Sequence, residues 1–195
     1  MSVLGAAQEI FARVPKCDVL VNNAGFASNG RFDTLPEERI REEILLDVLT
    51  LTELTRKYLP GMRSRRRGRI LNVASTAAFV PGPFMAVYYA AKAYVLSFSE
   101  AIAEEVRGSG VTVTCLCPGA TKTGFQDRAG VQRTLLVRLG LADAAEVAAA
   151  GIRGMMQGKA VVVPGITNKL VALSPKISPR RLLLFISKKL AEAPQ

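Results

Sequence analysis

Tyr88 and Lys92 stand four residues apart in Tyr88-Tyr89-Ala90-Ala91-Lys92, a spacing that puts both side chains on one face of a helix. A free phenol titrates near ~10, so it exchanges protons near neutrality only when its anion is favoured, and a neighbouring ammonium does this. Ser75 lies thirteen residues before Tyr88, where its hydroxyl would hydrogen-bond a reacting carbonyl or carbinol oxygen beside the phenol. There is no histidine, which excludes Ser-His-Asp and Cys-His machinery and imidazole metal sites. The three cysteines, Cys17, Cys115 and Cys117, contain no CxxC pair, so neither a zinc site nor a disulfide framework is expected. Catalysis would run on Ser, Tyr, Lys, Asp, Glu or a bound cofactor.

The elements around these residues follow from their periodicity. Asp18–Asn22 is a short apolar run that reads as a buried strand, stopped by Asn22-Asn23-Ala24-Gly25. Ile40, Ile44, Leu45, Val48, Leu51 and Leu54 recur at three and four, which predicts a long amphipathic helix from Pro36 to Met62. Gly68–Val73 is a second buried strand ending at Ser75, and a helix follows from about Val87 to Val106. Val111–Cys117 alternates as a third strand before Pro118, Asp143 is a natural N-cap for a helix to about Gln157, and Val161–Val163 is a fourth strand. Residues from Pro179 to Leu190 form a helical tail rich in Leu and Lys/Arg. Strands separated by helices predict an α/β fold with a doubly wound parallel sheet covered on both faces. In such sheets the working residues lie beyond the carboxyl ends of strands, where Asn22–Gly25, Ser75 and Pro118–Thr123 all fall.

These motifs together resemble the short-chain dehydrogenase/reductase family. The resemblance is carried by Asn22-Asn23-Ala24-Gly25, by Ser75, by Tyr88 with Lys92, and by the Pro118-Gly119 stretch running to Thr121 and Thr123. It covers roughly Asp18 to Gly165. It implies a Rossmann-like fold and an NAD- or NADP-dependent oxidoreductase that moves a hydride between nicotinamide and a small carbonyl or secondary alcohol. Tyr88 would be the general acid/base. Lys92 would tune Tyr88 and hold the nicotinamide ribose beside it, and Ser75 would orient the substrate oxygen. Asn22, Asn23, Ala24 and Gly25 would line the adenosine half of the cofactor. Pro118, Gly119, Thr121 and Thr123 would pass the nicotinamide amide, and the segment from Thr123 to Leu141 would cover the substrate. Homo-oligomers are implied through the helices near 36–62 and 87–106.

Two departures from the family pattern stand out. Members begin with a strand, a glycine-rich turn and a helix, whereas only seventeen residues precede Asp18 and none match that turn. The expectation is one partial domain over 1–195, short by roughly two βα units, with weakened cofactor binding. The four strands would then be the family's fourth to seventh, with an exposed apolar edge along Val19-Leu20-Val21. The second departure is Asp47, twenty-eight residues before Ser75, where the family carries a catalytic Asn. A carboxylate only accepts hydrogen bonds, so Asp47 would hold a water or pair with Lys92 and change its tuning of Tyr88.

Charge points to anionic partners without choosing one. Lys and Arg number 26 against 16 Asp and Glu, for a net charge of +10, and mean hydropathy is +0.23. The run Arg63, Arg65, Arg66, Arg67 and Arg69 lacks interleaved aromatics, so a solvated connection is favoured and no nucleic-acid partner is expected. The basic tail in 175–195 would dock on the domain or a second subunit, with an anionic membrane surface as the alternative. A catalytically silent interaction module is the other alternative to an enzyme. The start, Met1–Glu9, has no basic n-region and no segment is long and apolar enough to span a bilayer, which together with the cysteines suits a cytoplasmic setting.

Overall fold

The computed structural model describes residues 5–138 and 140–192. The expectations for Met1–Leu4, for Leu139 in the covering segment and for residues 193–195 of the tail lie outside them. Four parallel strands, β1 (Val19–Asn22), β2 (Gly68–Val73), β3 (Val111–Leu116) and β4 (Val161–Val162), pair in chain order. Leu20 aligns with Ile70, and Ile70 with Val113, which brings the carboxyl ends of the first three strands to one edge.

Both faces of the sheet are covered, as alternating inward side chains on β2 and β3 require. Helices α1 (Ala6–Arg13), α3 (Leu51–Ser64) and α4 (Ala86–Glu105) share one layer, in which Leu54, Tyr58, Met62, Ile70 and Val113 are buried together. On the opposite face Leu71 and Leu116 meet Val147 and Met155 of α7 (Ala144–Met156). Gly151 lets α7 approach closely, because a Cβ there would stand 2.7 Å from Leu116 Cδ2. Asp143 caps α7 by accepting from the amides of Ala145 (2.9 Å) and Glu146 (3.1 Å).

Several sequence expectations need correction. The strand at 19–22 is half-buried: Leu20 packs inward, while Val19 and Val21 are 47% and 51% exposed on an edge paired only with β2 among the described residues. The fully buried strand is thus corrected to a half-buried one, while the expected exposed apolar edge is present in Val19 and Val21. The long helix is interrupted, with α2 (Glu37–Ile44) joined to α3 by a π-helical turn over Leu45–Thr50. The segment after Thr123 contains short helices α5 (Phe125–Ala129) and α6 (Leu135–Arg138). Periodicity also missed α1 and α8 (Ile166–Leu173), the latter linked by the turn Ser174–Lys176 to the tail helix α9 (Arg180–Ala191).

The arginine run ties elements together. Arg65 donates to Cys17 O at 3.0 Å, and Arg67 lies 3.4 Å from Asp18, joining the end of α3 to the start of β1. Cys115 in β3 and Cys117 just after it are fully buried with their sulfurs 3.7 Å apart, as free thiols, and contact with Cys115, then burial, push the Cys117 thiol up. Among the described residues no helix is long and apolar enough to cross a membrane.

Candidate active site

Three strand ends and the first turns of α4 enclose a cavity of about 600 Å³, within the size range of small-molecule sites. Ser75, Tyr88, Lys92, Pro118, Gly119, Thr121 and Thr123 line it together with Asn23 and Gly25. Asn22 and Ala24 do not line it. The Asn22 side chain is buried and donates to Asn72 Oδ1 at 2.8 Å, while Asn72 donates in turn to Ser99 Oγ at 2.9 Å. That chain of amides and a hydroxyl braces β1, β2 and α4 beneath the site, where an unpaired buried polar group would be costly. Asn72 and Ser99 escaped sequence reading because a polar residue inside a strand and another inside a helix carry no signal of their pairing.

Lys92 is 6% exposed, and its ammonium lies 3.0 Å from Asp47 Oδ2 and 3.3 Å from Val73 O. Burial works against its charge, but Tyr88 and Asp47 outweigh that and raise it, so Lys92 remains an ammonium. Asp47 is 2% exposed and accepts from the Phe26 amide at 3.1 Å. Burial pushes its carboxyl up against the opposing pull of Lys92. The π-helical turn aims Asp47 inward, and Gly25 makes the approach possible, since a Cβ there would sit 2.9 Å from Asp47 Oδ1. Of the two roles open to Asp47 in the sequence, the structure shows the pair with Lys92.

The Lys92 nitrogen stands 5.5 Å from the centre of the Tyr88 ring. Burial raises the Tyr88 phenol above its usual value; Lys92 and Ser75 pull it down, while Asp47 and Glu43 push it up. Lys92 acts on the phenol in the direction the sequence expects, and the net position of the phenol is set by its balance with desolvation. The ammonium acts in that direction, but desolvation outweighs it and Asp47 partly cancels its charge. Ser75 Oγ accepts from the Ala77 amide at 3.1 Å, and its hydroxyl makes a long contact, 3.4 Å, to Pro118 O.

Two further residues were missed. Glu43 is fully buried one helical turn before Asp47; neither of its carboxylate oxygens has a hydrogen bond, and the neighbouring Ser28 hydroxyl has none either. Burial pushes Glu43 up to about 7. Its signal was available, because positions 43, 47, 51, 54 and 58 form the stripe that the helix turns inward. Gln126 donates to Thr121 O at 2.7 Å and accepts from the Thr123 amide at 3.3 Å, fixing the loop over the cavity. A lone glutamine gives no such signal in sequence.

Residues 2–133 match the sequence profile of the short chain dehydrogenases. The chain belongs to the short-chain dehydrogenase family. This dehydrogenase-family chain is 36% identical over 115 residues to the oxidoreductase YvaG of Bacillus subtilis, covering 59% of the chain and 44% of that protein. It is 32% identical over 131 residues to a 3-ketodihydrosphingosine reductase of Bacteroides thetaiotaomicron, covering 67% and 49%. The chain thus spans less than half the length of either relative. Its fold matches a solved short-chain dehydrogenase from Sphingobium yanoikuyae in complex with NADPH, with a TM-score of 0.77 at 28% identity over 98% of the chain and 74% of that structure.

Proposed function

We propose that the chain acts in nicotinamide-dependent oxidoreduction of a carbonyl or secondary alcohol, with Tyr88 as general acid/base. The observation that carries this is the buried Asp47–Lys92 pair set beside Tyr88 in a cavity that Ser75 also lines. NAD or NADP as cofactor is supported by family membership and by the NADPH held by the Sphingobium relative. The residues present fit its nicotinamide ribose. An ammonium has three N–H donors; Val73 O takes one and Asp47 faces another, leaving one for a ribose hydroxyl in the cavity. The hydroxyl-bearing loop at Thr121–Thr123 suits the nicotinamide amide. Among the described residues no glycine-rich turn lies at the cavity to receive a pyrophosphate.

When bound, the nicotinamide supplies or accepts the hydride at the substrate carbon. The chain's own residues handle the proton and the oxygen. Ser75, whose proton is weakly committed, turns its O–H toward the substrate oxygen and holds it near the Tyr88 hydroxyl. In reduction, Tyr88 gives its proton to that oxygen, and the Lys92 ammonium stabilises the remaining phenolate. Asp47 and Val73 O fix the ammonium so that it need not reorganise as charge develops. A phenol at or above its usual value is protonated at neutral pH, so Tyr88 holds the proton that carbonyl reduction consumes, while alcohol oxidation needs its phenolate.

The test is substrate-dependent oxidation of NADPH or NADH. Tyr88→Phe, which keeps the ring packed on Phe125, should lower turnover by about 10²–10⁴-fold with the fold unchanged by circular dichroism. Undiminished turnover would remove Tyr88 from the reaction. Self-association through α2–α3 and α4 belongs to the same reading, supported by Ile44, Leu49 and Tyr94, which are exposed on those helices.

A further inference from the structure

The C-terminal elements leave an apolar surface of one charge sign. α9 docks on the domain by Leu183, Ser187 and Ala191, which are buried, and Asn29 donates to Ala191 O at 3.2 Å. Its other side is bare, with Leu182, Phe185 and Ile186 exposed. The turn before it exposes Ile177 at 77%, and α8 has no buried residue, with Ile166 and Leu170 at 76% and 63%. A helix that buries none of its apolar side chains within its own chain calls for something outside it.

Charge identifies the occupant. From Val147 to Ala191 there is no Asp or Glu, while six lysines and arginines lie between Lys169 and Lys189. Glu192, 3.5 Å from Lys189, is a carboxylate beside the patch. A second copy docked face to face would set six cations against six, and a partner protein buried over these leucines would have to desolvate them. An anionic lipid surface meets both needs: its acyl boundary takes the exposed Leu, Ile and Phe, and its phosphates take ammonium and guanidinium groups, the Lys188 ammonium excepted, which lies 6.0 Å from the Phe84 ring.

We infer that α8, the turn Ser174–Lys176 and α9 form a docking face for anionic membrane surfaces. The face adjoins the cavity: Asn168 of α8 packs against Gly119 in its wall, and α9 packs against α6, whose Val137 lines it. Docking therefore holds two wall elements of the cavity at the lipid surface. The inference does not depend on turnover.

Vesicle flotation with the full chain tests it. The chain should float with phosphatidylglycerol–phosphatidylcholine vesicles and not with phosphatidylcholine alone. A protein with net charge +10 would show some such binding by electrostatics alone, so the deciding variant keeps every charge. Ile177→Ser with Phe185→Ser, both exposed and free of core packing, should weaken binding about tenfold or more. Arg63→Ser with Arg66→Ser, in the last turn of α3 and the turn that follows it before β2, should weaken it far less. Equal loss in both variants, or no loss in the Ile177/Phe185 variant, would overturn the docking face in favour of diffuse charge attraction. Failure to float with anionic vesicles would also overturn it, as would a dimer of the wild type that the Ile177/Phe185 variant abolishes.

Discussion

At the scale of single residues, the candidate site turns on the buried Asp47 carboxylate held against Lys92. Asp47 neutralises part of the Lys92 charge that Tyr88 feels, so the phenol stays higher than an unpaired ammonium would leave it. Asp47→Asn should therefore lower the Tyr88 pKa relative to wild type, moving the ascending limb of the pH profile of alcohol oxidation, which needs the phenolate, to lower pH. A pH–rate profile checks this, and a limb that stays in place would show that Asp47 does not act on Tyr88. Asp47→Ala should cost about 3–5 kcal/mol in urea denaturation, because it leaves the Lys92 ammonium buried without its counter-charge.

Glu43 supplies a separate prediction. Its folded pKa, about 7, lies above the ordinary 4.5, so the folded state holds a proton that the unfolded chain has lost. Stability from this group is complete below 4.5 and is lost as pH rises through about 7. Glu43→Gln should flatten that slope and make the variant more stable than wild type at pH 8, by on the order of 2 kcal/mol. Denaturation at pH 5 and pH 8 measures it, and identical slopes would contradict it. The types and spacing of Ser75, Tyr88, Lys92 and Asp47 were legible in the sequence because their chemistry depends on side chains at fixed helical or strand-end positions. The balance of charges around Tyr88 was not, because desolvation exists only once the chain has packed.

At the scale of elements, strands and long helices were readable because burial imposes period two or 3.6 on them. The π-helical turn was not, since Leu45–Thr50 has the composition of ordinary helix and only the packing of Asp47 against Gly25 and Lys92 distinguishes it. α8 was missed for the opposite reason: none of its residues is fully buried, so no inward apolar stripe marks it. The N-cap of α7 was legible and bears on the site, because Ala144 and Val147 form part of the cavity wall. Asp143→Ala removes the acceptor for two amides and should destabilise the chain by about 1 kcal/mol, read as a lower urea midpoint with unchanged slope. An unchanged midpoint would mean that solvent replaces the cap at no cost.

At the scale of the molecule, the sheet brings segments distant in sequence to one edge: the turn after β1, Ser75 after β2 and the Pro118–Thr123 loop after β3. The fold was readable from the alternation of strands and helices, and the convergence of these ends followed from it. Which of the four residues in Asn22–Gly25 face the cavity did not, because the amide chain from Asn22 through Asn72 to Ser99 is a tertiary pairing across fifty and twenty-seven residues. The central claim is that Lys92, fixed by Asp47, presents an N–H to a nicotinamide cofactor beside Tyr88. The most direct measurement is calorimetric titration of the chain with NADPH and with NADH at low salt, repeated on Lys92→Met. The account predicts saturable heat from at least one nucleotide, weakened tenfold or more by the substitution (~1.4 kcal/mol). No binding up to millimolar nucleotide, or equal binding by wild type and Lys92→Met, would contradict it.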